Sequence, residues 1–203
     1  MGLDMYLEKY PRYKNAKPSD VYLVQSYLEW KKAKSEGESY ANCTLKKWCG
    51  REYKELNRDF VEFYRPYYTE KFYSWDKACK YGHFSIVQDI GYWRKVNHVH
   101  NWFVKNVQNG VDDCGAYIVT KVQLHNLLNV CKKVMDIAIL KEDRIINYND
   151  VAEILPTVGG FFFGGTDYDS YYLNGVQMTI EILEKVLKET DFSEEVVYYS
   201  SSW

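Results

Sequence analysis

The sequence predicts an α+β fold in which a mixed β-sheet is packed by helices. Strand and helix patterns alternate through the second half of the chain, which is typical of helices packed on a sheet. Both ends of the chain alternate apolar and polar side chains, a pattern that indicates half-buried antiparallel or edge strands. Two consecutive helical patterns near the N-terminus complete the prediction, and the length of 203 residues fits a single domain.

The first third of the chain predicts one strand and two helices. Leu3, Met5 and Leu7 alternate with polar residues, so residues 3–10 are read as a half-buried strand. A helix then runs from Ser19 or Asp20 to about residue 35, and a second runs from Thr44 to near residue 66. Residues 67–82 are predicted to be an irregular aromatic connector.

The middle of the chain predicts two strand–helix pairs. Residues 84–94 alternate as one long strand, and a helix over residues 95–108 follows it directly. A short strand over residues 116–120 precedes a helix that Thr120 caps and that continues to about residue 135.

The last third predicts two strands and a long helix. Residues 161–163 are predicted to be a short buried strand because pairs of glycines flank them as flexible joints. Thr166 or Asp167 is expected to cap a helix that extends to about residue 189. Residues 195–199 form the final predicted strand.

The composition limits the classes of function. Aromatic residues make up 17% of the chain, with 20 Tyr and 6 Trp, which indicates either a binding face or an aromatic-rich core. A net charge of −2 argues against a general nucleic-acid binder, because such proteins usually carry an excess of basic residues. Five cysteines without a CxxC pair, together with no leader and no long apolar run, predict reduced thiols, a cytoplasmic location and no membrane span.

Five motifs stand out along the chain: Met1–Leu7; Ile90–Lys95 with Asn97, His100 and Trp102-Phe103; Asn109-Gly110 with Asp112–Cys114; Leu155–Thr157 with Gly160–Gly164 and Thr166–Asp169; and Tyr199–Trp203. Together they resemble a family of small uncharacterised proteins common in bacteriophage and prophage genomes. The likeness covers residues 1–10 and about 86–203, so the helices of about 19–73 look like an insertion into this shared core. It implies a phage context and a bacterial host cytoplasm, and it implies no reaction.

Polar residues of the shared core form one candidate ligand pocket: Arg94, Asn97, His100, Asp112, Asp113, Asp167 and Asp169. Arg94 and Lys95 lie where a strand enters a helix, a common position for ligand sites, and can hold an anion against first-turn N–H groups. His100 falls at the centre of the helix's apolar face, however, where a core histidine with one hydrogen bond is the favoured interpretation.

The turn at Gly164–Asp167 resembles a phosphate-cradling loop but lacks its lysine, so a glycine turn with an aspartate cap is favoured. The aspartate pairs at 112–113 and 167–169 can hold Mg²⁺ only if the fold brings them together. Metal-ligand spacings and catalytic motifs are absent from the sequence. We therefore expect no bound metal and no cofactor, leave the catalytic residues unknown, and favour a binding role over an enzyme.

The inserted helices supply the candidate contacts to a protein partner: Trp30, Lys46, Lys47, Trp48, Arg51, Tyr53 and Tyr64. Basic side chains among rings bind single-stranded nucleic acid or anchor protein interfaces, although a solvated helical face fits the same pattern.

We predict a phage-encoded protein that inhibits or modulates a host protein or ribonucleoprotein by protein–protein contact, as anti-CRISPR and other anti-defence proteins do. Direct nucleic-acid binding is less favoured, and a homo-oligomer is a third interpretation. The alternative function is a small-ligand or nucleotide-binding protein, or a metal-assisted enzyme, that uses the core pocket.

Overall fold

The computed structural model describes residues 2–44, 47, 56–71 and 83–203. The predicted α+β class is confirmed, because the described residues form six α-helices and a four-stranded antiparallel sheet. The chain divides into two compact units: unit 1 comprises Met1–Lys9 and Asp89–Trp203, and unit 2 comprises Tyr10–Gln88. The predicted insertion falls within unit 2, and the single-domain organisation stays a prediction.

The strands of the described residues are β1 Asp4–Pro11, β2 Thr69–Lys71, β3 His83–Ser85, β4 Gln88–Arg94, β5 Tyr117–Val119, β6 Leu140–Lys141, β7 Arg144–Ile145 and β8 Glu195–Ser202. The α-helices are α1 Pro18–Ser35, α2 Arg58–Tyr64, α3 Asn97–Asn106, α4 Lys121–Ile137, α5 Tyr148–Ile154 and α6 Ser170–Glu189. Short 3₁₀ turns occur at Ser39–Ala41 and Arg65–Tyr67.

The main sheet has the strand order β4-β1-β8-β5 and is antiparallel. In the β5–β8 pair, Tyr117 lies opposite Tyr199 and Val119 lies opposite Val197. The predicted mixed sheet with parallel neighbours is therefore corrected to an antiparallel one. The connection from β5 to β8 passes through α4, a hairpin, α5 and α6, so the strand–helix alternation of the sequence does not reveal the direction in which these strands pair.

The core of unit 1 lies between the sheet and its helices. Leu3, Met5 and Leu7 are fully buried, so the alternation read from the sequence does place one face of β1 inward. These residues belong to one cluster with Trp93 of β4 and with apolar residues of α3, α4 and α6. Helix α6 packs along α4 and also contacts α3. The Tyr172 ring in the first turn of α6 lies 4.2 Å from the His98 ring near the start of α3.

One predicted strand is split in two. Residues 83–85 form β3 and pair with β2, whereas residues 88–94 form β4 in the main sheet. The Gln25 side chain of α1 accepts the Ile86 N–H at 3.0 Å. This side-chain hydrogen bond takes the place of a strand-to-strand backbone hydrogen bond at the break between β3 and β4.

The predicted strand at residues 161–163 is wrong, because this segment forms a turn. The Phe163 N–H donates to the Gly160 carbonyl at 3.3 Å, and a Cβ on Gly160 would lie 2.5 Å from the Phe163 ring. Only glycine allows this ring to fold back so closely. Phe163 is buried and Phe161 is 94% exposed, so the segment does not run through the core.

Several helix ends also differ from prediction. Lys95 has a φ of 58°, which a right-handed helix cannot include, so α3 begins at Asn97. The N-cap of α6 is Asp169, whose side chain accepts the Tyr172 N–H, and neither Thr166 nor Asp167 caps it. Within the predicted helix from Thr44 to residue 66, the described part contains α2 at 58–64.

Two elements of unit 1 were not predicted. The hairpin of β6 and β7 turns through Glu142 and Asp143, which have φ values of 47° and 66°. Helix α5 follows this hairpin. Both are too short for periodicity to reveal them, and the turn lacks the glycine that usually marks such a hairpin.

Unit 2 has its own buried residues, drawn from α1 and α2. Val21, Val24 and Leu28 of α1 are buried, as is Val61 of α2. The Tyr13 ring stacks on Phe63 with a centroid separation of 4.4 Å. In the described part of the chain, no helix has the length and apolar character needed to cross a membrane.

At Gly91 of β4, α6 packs directly against the sheet. A Cβ at this position would lie 2.7 Å from Ile182 Cγ2 and 3.3 Å from Leu7 Cβ. We expect Gly91→Ala to lower the free energy of unfolding by about 1–3 kcal/mol, because the methyl overpacks the interface. Urea denaturation measures this change.

Gly159→Ala is the matched control, since nothing lies within 4 Å of a Cβ added there. It should leave stability unchanged or raise it by up to about 1 kcal/mol. Equal effects of the two substitutions would contradict the close packing of α6 on β4.

Candidate functional site

A cavity of about 490 Å³ lies in unit 1 where β4 passes into α3 and where α6 begins. We call it the α3–α6 cavity. Its wall is formed by residues 94–98, by the loop that includes Gly164, Gly165, Asp167 and Asp169, and by residues of α6 from Tyr171 to Met178. Its volume falls in the range of small-molecule sites, about 300–1,000 Å³.

The backbone at Lys95 shapes one side of the cavity. Its left-handed conformation, with φ at 58°, turns the chain from β4 into α3, and its N–H donates to the Leu3 carbonyl at 2.8 Å. A Cβ on Gly164 would lie 3.1 Å from Lys95 Cβ, and Gly164 has a φ of 90°. A glycine at 164 is therefore what lets the loop approach the strand–helix junction.

The Asn97 side chain holds the loop in place. Its Nδ2 donates to the Gly165 carbonyl at 2.7 Å and to the Phe163 carbonyl at 3.3 Å, while its Oδ1 accepts the Val158 N–H at 3.2 Å. Asn97 is almost fully buried. Asn97, one of the candidate pocket residues, lines the cavity. Its polar atoms, however, are engaged in hydrogen bonds with the loop.

Further side chains fasten the same loop. Asn101 of α3 donates to the Pro156 carbonyl at 2.9 Å, and the Tyr172 hydroxyl of α6 donates to the Leu155 carbonyl at 2.8 Å. The Thr157 hydroxyl donates to the Thr166 carbonyl at 3.1 Å. Side chains thus order much of the loop from residue 155 to residue 169, together with backbone bonds from the Leu3 N–H to the Phe162 carbonyl and from the Ile145 N–H to the Tyr168 carbonyl.

Four charged residues of the candidate pocket region converge on the cavity. Arg94 and Lys95 are exposed cations on one element, and Asp167 and Asp169 are carboxylates that precede α6. Arg94 Nη1 lies 3.9 Å from Asp4 Oδ1 and its side chain remains 58% exposed. Among the described residues, no carboxylate oxygen lies within ion-pair distance of Lys95. The charges sum to zero, so a ligand with both acidic and hydrogen-bond-donating groups fits this wall.

The N-terminus of α3 adds a partial positive charge. No side chain caps this helix at Val96, whereas Thr120 caps α4 and Asp169 caps α6. The first N–H groups of a helix are left without intrahelical partners and carry the positive end of its dipole. Residues 96–98 line the cavity, so this end of the helix borders it.

His98 is the residue of this site that sequence reasoning missed. It lines the cavity while only 4% exposed, and its Nε2 has no hydrogen-bond partner among the described residues. A Cβ on Gly175 would lie 3.1 Å from that Nε2, so the nitrogen faces the backbone of α6. Burial lowers the pKa of His98 to about 3, against an ordinary 6.5, so the ring is neutral at pH 7.

His100 and Asp112 form a separate hydrogen-bonded cluster. His100 is fully buried, as its place on the apolar face of α3 indicated, and both ring nitrogens are paired. Nε2 lies 3.0 Å from Asp112 Oδ2, and Nδ1 lies 2.7 Å from the Tyr199 hydroxyl. The other Asp112 oxygen accepts from Trp203 Nε1 at 3.1 Å. This arrangement ties the C-terminal residue to α3.

The seven candidate pocket residues are thus not one site. Asp113 accepts the Gly115 N–H and the Tyr117 hydroxyl, so it stabilises a turn beside β5. His100, Asp112 and Asp113 do not line the α3–α6 cavity. Within the described ranges, no group of three or more His, Cys, Asp or Glu side chains is arranged to hold a metal ion.

Only part of the predicted partner-binding set can be placed. Lys46, Trp48, Arg51 and Tyr53 lie outside the described residues. Lys47 is exposed, and Trp30 is half-buried with its Nε1 donating to the Cys43 carbonyl at 2.9 Å. Tyr64 is corrected: it is fully buried and donates to the Pro11 carbonyl at 3.0 Å, so it is not a surface anchor.

The low pKa of His98 makes unit 1 sensitive to acid. The unfolded histidine binds a proton below about pH 6.5 and the folded one resists it to about pH 3, so stability falls as pH drops through that window. Between pH 7.5 and pH 4.5 we expect the wild type to lose about 2–3 kcal/mol more than His98→Gln does. Urea denaturation at both pH values measures the difference.

His125→Gln is the control, because His125 is exposed on α4. This variant should lose stability on acidification as the wild type does. If His98→Gln showed the same acid sensitivity as His125→Gln, the burial of a neutral imidazole would be refuted.

Comparison with known proteins adds no relative to this chain: no family model matches it, and neither a curated protein nor a solved structure shows significant similarity. The resemblance to phage proteins therefore stays a prediction, and the function rests on the site described above.

Proposed function

We propose that unit 1 is a ligand-binding module that holds a small polar molecule in the α3–α6 cavity. The observation that carries the proposal is the convergence of three chain segments on one cavity wall: residues 94–98, the loop with Asp167, and the first half of α6. They bring Arg94, Lys95 and Asp167 to the same cavity. Such a combination of volume and convergent polar groups is the usual composition of a small-molecule site.

The free-energy cost of two features of the cavity wall supports the proposal. Lys95 adopts a conformation that residues other than glycine rarely adopt, and His98 buries an unpaired nitrogen. A buried polar atom without a partner costs about 1–3 kcal/mol. Strained backbone and violations of local packing rules concentrate at functional sites.

Asn174→Trp tests the proposal. Asn174 is exposed on α6 and lines the cavity, so an indole there would fill the space without disturbing the core. A thermal-shift screen of nucleotides, sugar phosphates, amino acids and carboxylic acids should raise the wild-type Tm with at least one compound. At 100 times its Kd, the ligand should add about 2.7 kcal/mol, or roughly 5–10 °C. Asn174→Trp should abolish that shift.

Gln177→Trp is the matched control, since Gln177 is exposed on α6 and does not line the cavity. This variant should keep the ligand-induced shift. A screen with no shift for any compound, or equal shifts for both tryptophan variants, would overturn the assignment of the cavity as a binding site.

A second candidate function is contact between unit 2 and a host macromolecule, as an anti-defence protein would make. It is supported by exposed rings beside lysines. Tyr22 and Tyr67 are 40% and 44% exposed, and Lys34 Nζ lies 4.9 Å from the centre of the Trp30 ring. Tyrosine and tryptophan are common anchors of protein interfaces.

The test is a pull-down from a lysate of phage-infected bacteria with the double variant Tyr22→Ala and Tyr67→Ala. A host protein retained by the wild type should be lost by this variant. Val122→Ala is the control, because Val122 is exposed in unit 1. If the wild type, the double variant and the control retained the host protein equally, Tyr22 and Tyr67 would be excluded as contacts to it.

A further inference from the structure

We infer that a second copy of this chain docks on the surface around the α3–α6 cavity and forms a dimer with twofold symmetry. We call this surface the loop face and define it by Lys95, Phe161, Asp167 and Tyr171. The inference goes beyond the proposed function and does not depend on a ligand in the cavity. Because three of the four residues line the cavity, the second copy would form part of the surroundings of each cavity.

The four residues belong to one continuous surface. Phe161, which does not line the cavity, precedes Phe162, whose carbonyl accepts the Leu3 N–H at 3.0 Å. The carbonyl of the same Leu3 accepts the Lys95 N–H at 2.8 Å. A Cβ on Gly164 would lie 3.1 Å from Lys95 Cβ. The loop segment that carries Phe161 therefore runs close to Lys95, at the edge of the cavity.

Two rings of the loop face lie almost entirely in solvent. Phe161 is 94% exposed and Tyr171 is 80% exposed, and they are the most exposed large apolar side chains among the described residues. At such exposure neither ring contributes much to the core of unit 1. Aromatic rings are common anchors of protein interfaces, because each buries a large area at a low cost in conformational entropy.

The free charges of the loop face are one cation and one carboxylate. Arg94 Nη1 lies 3.9 Å from Asp4 Oδ1, and Asp169 caps α6, so both are engaged within the chain. Lys95 and Asp167 are exposed and line the same cavity, and neither has an ion-pair partner in the part of the chain that the structure describes. The loop face therefore has no net charge of its own that would attract nucleic acid.

This pair of free charges is complementary to itself. A twofold axis that passes between Lys95 and Asp167 sets each side chain against its opposite in the second copy, so two ion pairs form at once. Pairs of this kind add little affinity, but they fix the orientation of an interface and disfavour other arrangements. The self-complementary charges select a second copy as the partner, and the exposed rings supply the apolar area.

Two glycines of the loop allow a close approach from outside. No described atom lies within 4 Å of a Cβ added to Gly159 or to Gly165, and neither residue has a positive φ. Neither packing within the chain nor backbone conformation therefore requires glycine there. The lack of side chains beside Phe161 lets the backbone of a second copy come near the loop.

Sedimentation velocity over a range of protein concentrations, without any ligand, tests the inference. We expect the wild type to reach twice the mass of one chain as its concentration rises. Phe161→Ala and Tyr171→Ala should each raise the dissociation constant of the dimer about tenfold or more, as loss of an interface anchor does. Val122→Ala is the matched control, because Val122 is an exposed apolar residue of α4, and it should leave association unchanged.

Charge reversal with rescue tests the pairing itself. Lys95→Glu and Asp167→Lys should each weaken self-association about tenfold or more, because each places like charges against one another twice. An equal mixture of the two variants should associate to within about threefold of the wild type, since every facing pair then has opposite charges. Lys188→Glu, at an exposed position near the end of α6, should associate as the wild type does.

Three results would overturn the inference. The first is a wild type that stays monomeric at its highest soluble concentration. The second is a dimer that Phe161→Ala and both charge reversals leave intact, which would place the interface on another surface. The third is a mixture of the two reversed variants that fails to associate although both keep the wild-type Tm. Each of these results would leave the proposed function standing, because thermal shift with ligands measures that function separately.

Discussion

The structure of unit 1 around the cavity depends on one buried amide. Asn97 sits at the start of α3 and saturates its side chain with three backbone groups of the loop. Loop backbone buried without partners would be strongly destabilised, because each unpaired polar group costs about 1–3 kcal/mol. The amide therefore supplies hydrogen bonds to the loop backbone, as a neighbouring strand supplies them within a sheet. The loop can for this reason be ordered although it has no regular secondary structure.

The loop and the start of α3 meet at the cavity. The N-cap of α3 is Val96, whose side chain cannot accept a hydrogen bond, so no side chain caps the first N–H groups of the helix beside the cavity. The loop in turn brings Asp167 to the same wall as Arg94 and Lys95. The loop that Asn97 holds thus places carboxylates beside the cations at the uncapped start of α3, so a ligand of this cavity would meet both signs of charge.

The sequence predicted the class of the fold, but not which of the candidate pocket residues lie together. The strand-to-helix junction at Arg94 and Lys95 was readable because the period of the apolar residues changes there. The separation of His100 and Asp112 from Asp167 was not, since it depends on which way each loop folds. His98 was missed because its burial depends on the packing of α6 at Gly175, which the pattern of α3 alone does not show. The left-handed Lys95 also had no signal, because lysine is not a residue that marks such a conformation.

The central claim is that the Asn97 amide orders the loop that walls the cavity. Amide hydrogen exchange at Val158, followed by NMR in the wild type and in Asn97→Ala, tests it directly. We expect the Val158 N–H to exchange about tenfold or more faster in the variant, with the amide of Leu128 in the core of α4 unchanged. Equal protection of Val158 in both proteins would show that the loop is held without this side chain and would contradict the account.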